Sequence, residues 1–333
     1  MSNGTKPRIG CLGVGWIGRH RMQSVIEDGA AEVVAIADPD PESLCAAAEI
    51  APHALLLDEP ATLLETELDG LMIATPSAMH AEQAMSHLER GVSVFCQKPL
   101  ARSAEETDAV LDAARRANRL LGVDLSYRHV SGVPQMRELV QSGALGHLFG
   151  VSLTFHNAYG PDKDWFYDPS RSGGGCLVDL GTHLVDLALW ISGSPSAYVV
   201  DARCFASGVR LSKRDRVEDY ACARLDLDSG ASMTLTCSWN LHAGRDAIIA
   251  AEFYGTAGSV VLRNVDGSFY DFVVEHHERT STNVIAAPPD AWGGRSAVAW
   301  ARALGRDPSY DPSIETVRGV ARVLDRIYGG PAV

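Results

Sequence analysis

Three side chains in this chain are of types that move or stabilise protons and charge: Lys98, Asp179 and His183. Lys98 stands in VSVFCQKPLARS, where an apolar run ending in Cys96 gives way to Gln97, Lys98 and Pro99. A lone lysine after a strand is ordinarily a solvated loop residue, so its surroundings must decide. An ammonium at the lip of a buried strand can hydrogen-bond an oxygen on which negative charge develops. Asp179 and His183 lie in CLVDLGTHLVDLALW at i and i+4, a spacing that puts both on one face of a helix. A carboxylate beside an imidazole fixes its tautomer and stabilises the imidazolium, as a general base requires. Asp186, at i+3 from the histidine, is expected to reach the same side. One helix rarely supplies a full ligand set, so no metal is assigned to these three.

The elements that must hold Lys98 come first in the chain. Short apolar runs at Arg8–Gly13, Glu32–Asp38, His53–Leu57, Asp69–Thr75, Val92–Cys96 and Leu120–Leu125 read as strands. Between them lie helical patterns around Ile17–Glu27, Pro41–Ile50, Ala78–Arg90 and Ala104–Asn118, the last opened by a Ser103 capping box. Repeated β-α-β with apolar strands predicts a parallel sheet covered on both faces, with ligands outside the carboxyl ends of its strands.

Those ends carry chemistry. GVGWIG, with Gly13, Gly15 and Gly18 around Trp16 and Ile17, is a G-x-G-x-x-G turn between strand and helix. Its glycines permit the turn, the approach of a pyrophosphate and close helix packing, and the helix N-terminus attracts the phosphates. The second strand ends in Asp38, about twenty residues past Gly18, where a carboxylate accepts hydrogen bonds from an adenosine ribose. That carboxylate would repel a 2′-phosphate, and Pro39-Asp40-Pro41 supplies no arginine to hold one, so NAD is favoured over NADP. The fourth strand ends in ATPSAMH, where Thr75 offers a hydroxyl, Pro76 holds the turn and Ser77 is read as a helix cap. Lys98, at the end of the fifth strand, therefore lies on the rim that binds the dinucleotide.

After Ser126 the pattern changes. SMTLTCSW alternates strictly, YACARLDL alternates with Ala221, Ala223, Leu225 and Leu227 on one side, and Asp228-Ser229-Gly230 is a hairpin turn between such runs. Strands are further expected at Ile248–Tyr254, Ser259–Arg263 and Ser268–Glu275, and a last helix over Ser313–Tyr328 is expected to pack back on the first domain. Within FHNAYGPDKDW, His156, Asn157 and Trp165 combine hydrogen-bonding groups with an aromatic plane, which suits a polyol. Tyr127 and Arg128, just past the sixth strand, are expected in the same substrate site.

Composition narrows the class. A chain of 333 residues fits two domains, read here as 1–125 for the dinucleotide and 126–333 for substrate and oligomerisation. Forty-two acidic against 29 basic residues, a formal net charge of −13, argue against nucleic-acid and anionic-membrane partners. Seven scattered cysteines without C-x-x-C, and no apolar leader or membrane-length run, lead us to expect a reduced, cytoplasmic protein.

With these blocks in this order, the chain resembles the Gfo/Idh/MocA family of sugar and inositol oxidoreductases. The resemblance rests on GCLGVGWIGRH, IATPSAMHAEQAMSHLERGVSVFCQKPLA, SGALG and SGGGCLVDLGTHLVDLALWISG, and covers nearly the full length. It implies α/β plus α+β architecture: an N-terminal Rossmann doubly wound parallel sheet, then an open, mostly antiparallel sheet covered by helices on one face. It implies that Lys98 sits beside the nicotinamide and takes part in catalysis, that Asp179 and His183 are catalytic, and that His80 and Gln97 join the cofactor site. One departure stands out: the family usually has glutamate where this chain has Gln97. The implied activity is hydride transfer between NAD and a secondary hydroxyl of a sugar, sugar acid or inositol, by a homodimer or homotetramer joined through the second sheet. Two other functions fit the same residues: redox-neutral, NAD-dependent glycoside cleavage, and non-enzymatic NAD and sugar sensing.

Overall fold

The computed structural model describes residues 6–212 and 214–329, which form two compact units. The terminal positions 1–5 and 330–333 of the two expected domains lie outside the described residues.

The first unit comprises the chain up to Ala101, Glu105–Ser126 and Gly294–Glu315. Its strands are β1 (Arg8–Leu12), β2 (Glu32–Ala37), β3 (Leu55–Leu57), β4 (Gly70–Ile73), β5 (Ser93–Cys96) and β6 (Leu121–Val123). They pair in parallel in the order β3-β2-β1-β4-β5-β6. The central runs are apolar throughout because both faces are covered. The helices are α1 (Trp16–Asp28), α2 (Pro41–Ile50), α3 (Ser77–Leu88), α4 (Ala104–Ala117) and, from much later in the chain, α8 (Arg295–Leu304). Strand order reverses between β1 and β4, which creates a crevice at the carboxyl end of β1. α8 packs on α1, β5 and β6, with Trp300 against Phe95 at 5.6 Å between ring centroids.

The second unit comprises Arg102–Ala104, Tyr127–Gly293 and the chain from Thr316. It contains α5 (Val133–Gln141), β7 (Leu148–Asn157), the single turn α6 (Pro169–Ser172), α7 (Thr182–Ser192), β8 (Ala197–Ala206), β9 (Val209–Arg210) and β10 (Tyr220–Leu227). The remaining elements are β11 (Ser232–Ser238), β12 (Ala247–Gly255), β13 (Ser259–Asn264), β14 (Phe272–Glu278), β15 (Ser281–Ala286) and α9 (Thr316–Ile327). The nine strands run in the order β15-β14-β13-β12-β7-β11-β10-β8-β9, antiparallel except for the β7–β11 pair. α5, α7 and α9 share one core with the covered face of this sheet.

The last helix and four strands of the second sheet differ from the sequence expectation. The last helix, α9, packs on α7 and β8 rather than returning to the first unit, and α8 makes that return instead. The apolar stripe of α9, with Val317, Val320, Val323, Leu324 and Ile327 buried, fits the groove beside α7, whose faces are apolar nearly all round. The strand at the centre of the second sheet, β7, holds no place among the expected strands, although 151–156 alternates regularly, and β8, β9 and β15 are not among them either. The run Pro169–Ser192 is long and apolar enough to cross a membrane, yet 89% of its apolar window is buried inside the protein.

Candidate functional site

The turn after β1 has the geometry that a pyrophosphate needs. Gly13 adopts φ +82°, and a Cβ there would lie 2.7 Å from the backbone of Ala74. A Cβ on Gly18 would lie 2.1 Å from the Gly13 carbonyl, so α1 can approach the turn only because residue 18 has none. Gly15 is different: a Cβ there meets nothing within 4 Å. It is the N-cap of α1 and no side chain hydrogen-bonds to that end, which leaves the first-turn amides for a phosphate. Trp16 is exposed, stacked at 6.0 Å on His20, and Ile17 is half-buried.

Asp38 is fixed at the end of β2. Its Oδ2 accepts from the Val14 amide at 2.7 Å and its Oδ1 from the Asp40 amide at 2.9 Å. Each carboxylate oxygen retains a further lone pair for a ribose hydroxyl. Asp40 in turn caps α2 by accepting from the Ser43 amide at 3.1 Å, so the segment that would face a 2′-phosphate is acidic. These residues fit NAD.

Along the rim, the Thr75 hydroxyl donates to Gln83 Oε1 at 2.6 Å. Pro76 occupies the N-cap of α3 and no side chain caps that helix, so Ser77 is its first residue rather than its cap. His80 is 1% exposed, with Nδ1 at 2.7 Å from the Pro99 carbonyl and Nε2 at 2.7 Å from the Thr75 carbonyl. Burial, opposed by the two carbonyls, holds its pKa below the ordinary histidine value. The neutral ring donates to one carbonyl and lies against the other, strapping the Thr75 turn to Pro99; its nitrogens face backbone, not a ligand. Gln97 donates from Nε2 to Asp124 Oδ2 at 2.5 Å, and Lys98 follows it, joined to Pro99 by a cis peptide bond.

In the second unit, the helix that carries Asp179 and His183 begins with a π-helical turn, Leu177–Gly181, before becoming α7. Such turns interrupt the regular i,i+4 register and recur at functional sites. The Asp179 carboxylate accepts from the indole Nε1 of Trp239 at 3.1 Å, next to the end of β11. His183 is 9% exposed and lies against the Tyr127 ring at 4.8 Å and the Phe155 ring at 6.4 Å. Tyr127 also contacts Phe272 and Trp292, and burial pushes its phenol well above the usual range, so it serves as a neutral wall. Asn157 projects from β7 on the same face as Phe155, and its buried Oδ1 has no hydrogen-bond partner among the described residues.

Three residues expected in the substrate site have other engagements. Arg128 grips both oxygens of Asp186, at 2.9 Å from Nε and 2.5 Å from Nη2, and stacks over Trp190 at 5.3 Å. That pair also takes Asp186 away from the role of a partner for His183. His156 alternates with Phe155 and therefore faces the uncovered side of the sheet, bonded to Ser238 Oγ at 2.7 Å and stacked on Tyr220. Trp165 stacks on Phe166 at 3.8 Å, and it is Phe166 and Tyr167 that pack edge-on against Trp239.

Sequence reasoning missed Trp239, Trp292, Phe272 and Glu218. Glu218, 1% exposed, accepts from the amides of Gly175 at 3.0 Å and Leu177 at 2.8 Å and from the Tyr328 hydroxyl at 2.7 Å. It holds the start of the turn that bears Asp179, and burial raises its pKa above the ordinary carboxyl value. A Cβ on Gly175 would lie 2.0 Å from the Glu218 carbonyl, which accounts for that glycine in SGGGC. The buried acid itself had no signal beyond its place in an otherwise polar stretch.

Comparison with known proteins agrees with this geometry. The model of an oxidoreductase family with an NAD-binding Rossmann fold matches residues 7–125, and the GFO/IDH/MocA C-terminal domain matches residues 133–261. A putative UDP-kanosamine synthase oxidoreductase subunit from Amycolatopsis mediterranei (strain S699) is 33% identical over 277 residues, covering 77% of this chain and 75% of that protein. D-glucoside 3-dehydrogenase of Escherichia coli (strain K12) is 28% identical over 243 residues, covering 69% of each. The solved structure of a levoglucosan dehydrogenase, in complex with NADH and levoglucosan, has a TM-score of 0.81 at 22% identity, over 98% of this chain and 97% of that one; this likeness bears on the fold. The chain therefore belongs to the GFO/IDH/MocA family of oxidoreductases, and its first half carries that family's NAD-binding Rossmann fold.

Proposed function

We propose that this chain is an NAD-dependent dehydrogenase acting on a secondary hydroxyl of a sugar, sugar acid or inositol. The observation that carries the reading is the turn at Gly13–Gly18, with open space around Gly15, a helix N-terminus without a side-chain cap and a fixed Asp38 carboxylate. NAD, when bound, supplies the hydride acceptor. Gly13, Gly15, Trp16, Ile17 and Gly18 hold its pyrophosphate, Asp38 its ribose, and Thr75, Pro76 and Lys98 the rim beyond. His183 takes the hydroxyl proton, within aromatic walls that keep water from competing. Lys98 donates a hydrogen bond to the reacting oxygen and stabilises charge that develops there. Trp239 fixes Asp179, which binds substrate hydroxyls, and the Asn157 oxygen, without a partner among the described residues, offers a further acceptor. A sugar dehydrogenase among the relatives supports the substrate class.

The dinucleotide domain is taken as 1–125 and the substrate domain as 126–333, although 294–315 packs in the first compact unit. The enzyme is read as cytoplasmic, without nucleic-acid or membrane partners, in keeping with its net charge of −13 and its free cysteines. It assembles as a homodimer or homotetramer through the uncovered face of the second sheet, where Ser152, Thr154, Thr234 and Thr236 stand beside Glu252 and Arg224, a mixed polar surface.

The test is a panel of inositols, aldoses, sugar acids and glycosides incubated with NAD⁺. NADH formation with one subset is expected. Glycoside cleavage without net NADH, or NAD binding with no reaction across the panel, would replace the dehydrogenase with one of the two other functions.

A further inference from the structure

A buried carboxylate lies directly behind the strand end that bears Lys98. Asp124 follows β6, is 1% exposed, and its Oδ2 accepts from Arg21 Nε at 2.6 Å and from Gln97 Nε2 at 2.5 Å. Its amide donates to the Cys96 carbonyl at 2.9 Å, and the Gln97 amide to the Ile73 carbonyl at 2.8 Å, so both side chains leave adjacent strands in register. Arg21 is 7% exposed and Gln97 8%. The second oxygen of Asp124, Oδ1, is buried with no partner among the described residues.

The charges here permit one carboxylate. Arg21 supplies a single positive charge and Asp124 a single negative one. The third member must be neutral and must donate, which an amide does and an ionised carboxylate cannot. A buried ion pair is a weak way to stabilise a fold, since apolar residues of similar volume usually do as well. Its presence at the root of the Lys98 strand end therefore calls for another reason. We propose that Asp124 is a positioning residue: with Arg21 it fixes the Gln97 side chain, and through it the peptide that carries Lys98, while holding one negative charge beneath the rim. This rests on the role given to Lys98 above.

Around this carboxylate stand His20 and Arg21 from α1, Cys96 on β5 and, beyond Gln97, Lys98. Burial lowers the His20 pKa and pushes the Cys96 thiol well up, so neither adds charge near neutral pH.

The experiment compares wild type, Gln97→Glu, Asp124→Asn and the double variant that moves the carboxylate from 124 to 97. Each is followed by thermal midpoint and by NADH affinity, read from nicotinamide fluorescence, between about pH 5.5 and 8. In Gln97→Glu two carboxyls share one guanidinium, so the folded-state pKa of the introduced carboxyl rises above its unfolded value of about 4.3. The folded protein then keeps a proton that the unfolded chain has lost, and stability relative to wild type falls as pH rises through that window. NADH affinity should fall about tenfold or more over the same range, as the whole rim backbone at 97–99 shifts, a larger disturbance than loss of the Lys98 side chain alone. Asp124→Asn leaves Arg21 unpaired and should lower both readouts at every pH. The double variant, again with one carboxylate, should recover most of both and lose the added pH dependence. A double variant no better than Gln97→Glu, or a Gln97→Glu protein whose NADH affinity follows pH as wild type does, would overturn the proposal. A role in stability alone would move the midpoints and leave NADH affinity unchanged, which would also overturn it. Wild-type protein that binds no NADH would instead overturn the reading of the cofactor site, and the four midpoints would still decide whether positions 97 and 124 share one charge.

Discussion

The dinucleotide turn in the first unit and the His183 site in the second are built on opposite principles. The turn is made of main chain: one left-handed glycine, one glycine under a helix, one facing open space, and amides at a helix N-terminus. The His183 site is made of side chains brought from separated elements: Tyr127 after β6, Phe155 and Asn157 on β7, Trp239 after β11, and Phe272 and Trp292 far along the chain. A backbone site tolerates almost any side chain outward but forbids a Cβ inward, and so writes itself into glycine spacing. A side-chain site needs only that walls of suitable shape converge, and many sequences supply such walls.

The comparison predicts where each region fails. Lys98→Met in the first unit and His183→Asn in the second should each cut turnover about a thousandfold, while NAD affinity stays within about threefold. Steady-state kinetics beside a binding titration checks this. If either variant kept wild-type turnover, the role given to that residue would be wrong.

Next come the glycines. Gly18→Ala drives a Cβ to 2.1 Å from the Gly13 carbonyl, and should lower stability by about 3 kcal/mol, read by denaturant midpoint. Gly15→Ala meets nothing within 4 Å and should leave the midpoint unchanged while weakening NAD binding. Equal midpoints for the two variants would remove the distinction between a glycine kept for packing and one kept for the ligand.

These contrasts account for what could be read in advance. The alternation of β10 and β11 and the apolar runs of β1, β2, β4 and β5 were legible because burial of one face or both imposes a period. The central strand β7 carries the same period, with Val151, Leu153 and Phe155 buried between Ser152, Thr154 and His156, although the expected strands omitted it. His156 read as a substrate ligand because a sequence shows residue types but not which side of a strand they take; one position decides that, and Asn157 is on the other side. Arg128 and Asp186 each looked available, and only the fold reveals that each occupies the other. Gln97 looked like a loss of charge, whereas the carboxylate it serves stands across the neighbouring strand end at Asp124.

A smaller effect sharpens the comparison from the second unit's side. Trp239→Phe keeps the aromatic packing on Phe166 and Tyr167 but removes the donor to Asp179. One hydrogen bond to a charged group is worth about 1.5–3 kcal/mol of stability, so stability read from the midpoint should fall by up to that amount and kcat/KM roughly tenfold. An unchanged kcat/KM would mean that Asp179 needs no orientation from β11.

The smallest expected effect concerns the base of the same turn. Glu218 accepts two amides and a phenol in a place from which water is excluded, and burial outweighs those bonds in raising its pKa above the unfolded value. The sign follows from linkage: the folded state holds the proton longer, so this group's contribution to stability falls as pH climbs from the ordinary glutamate range through the raised value. Glu218→Gln cannot ionise. It should remove that downward slope, and it should do so without changing the pH dependence of NAD binding, which belongs to the other unit. Denaturant midpoints across the acidic range, wild type against variant, measure the slope directly. A slope that survives the substitution would mean that some other group titrates there, and that Glu218 holds the Asp179 turn by its hydrogen bonds alone.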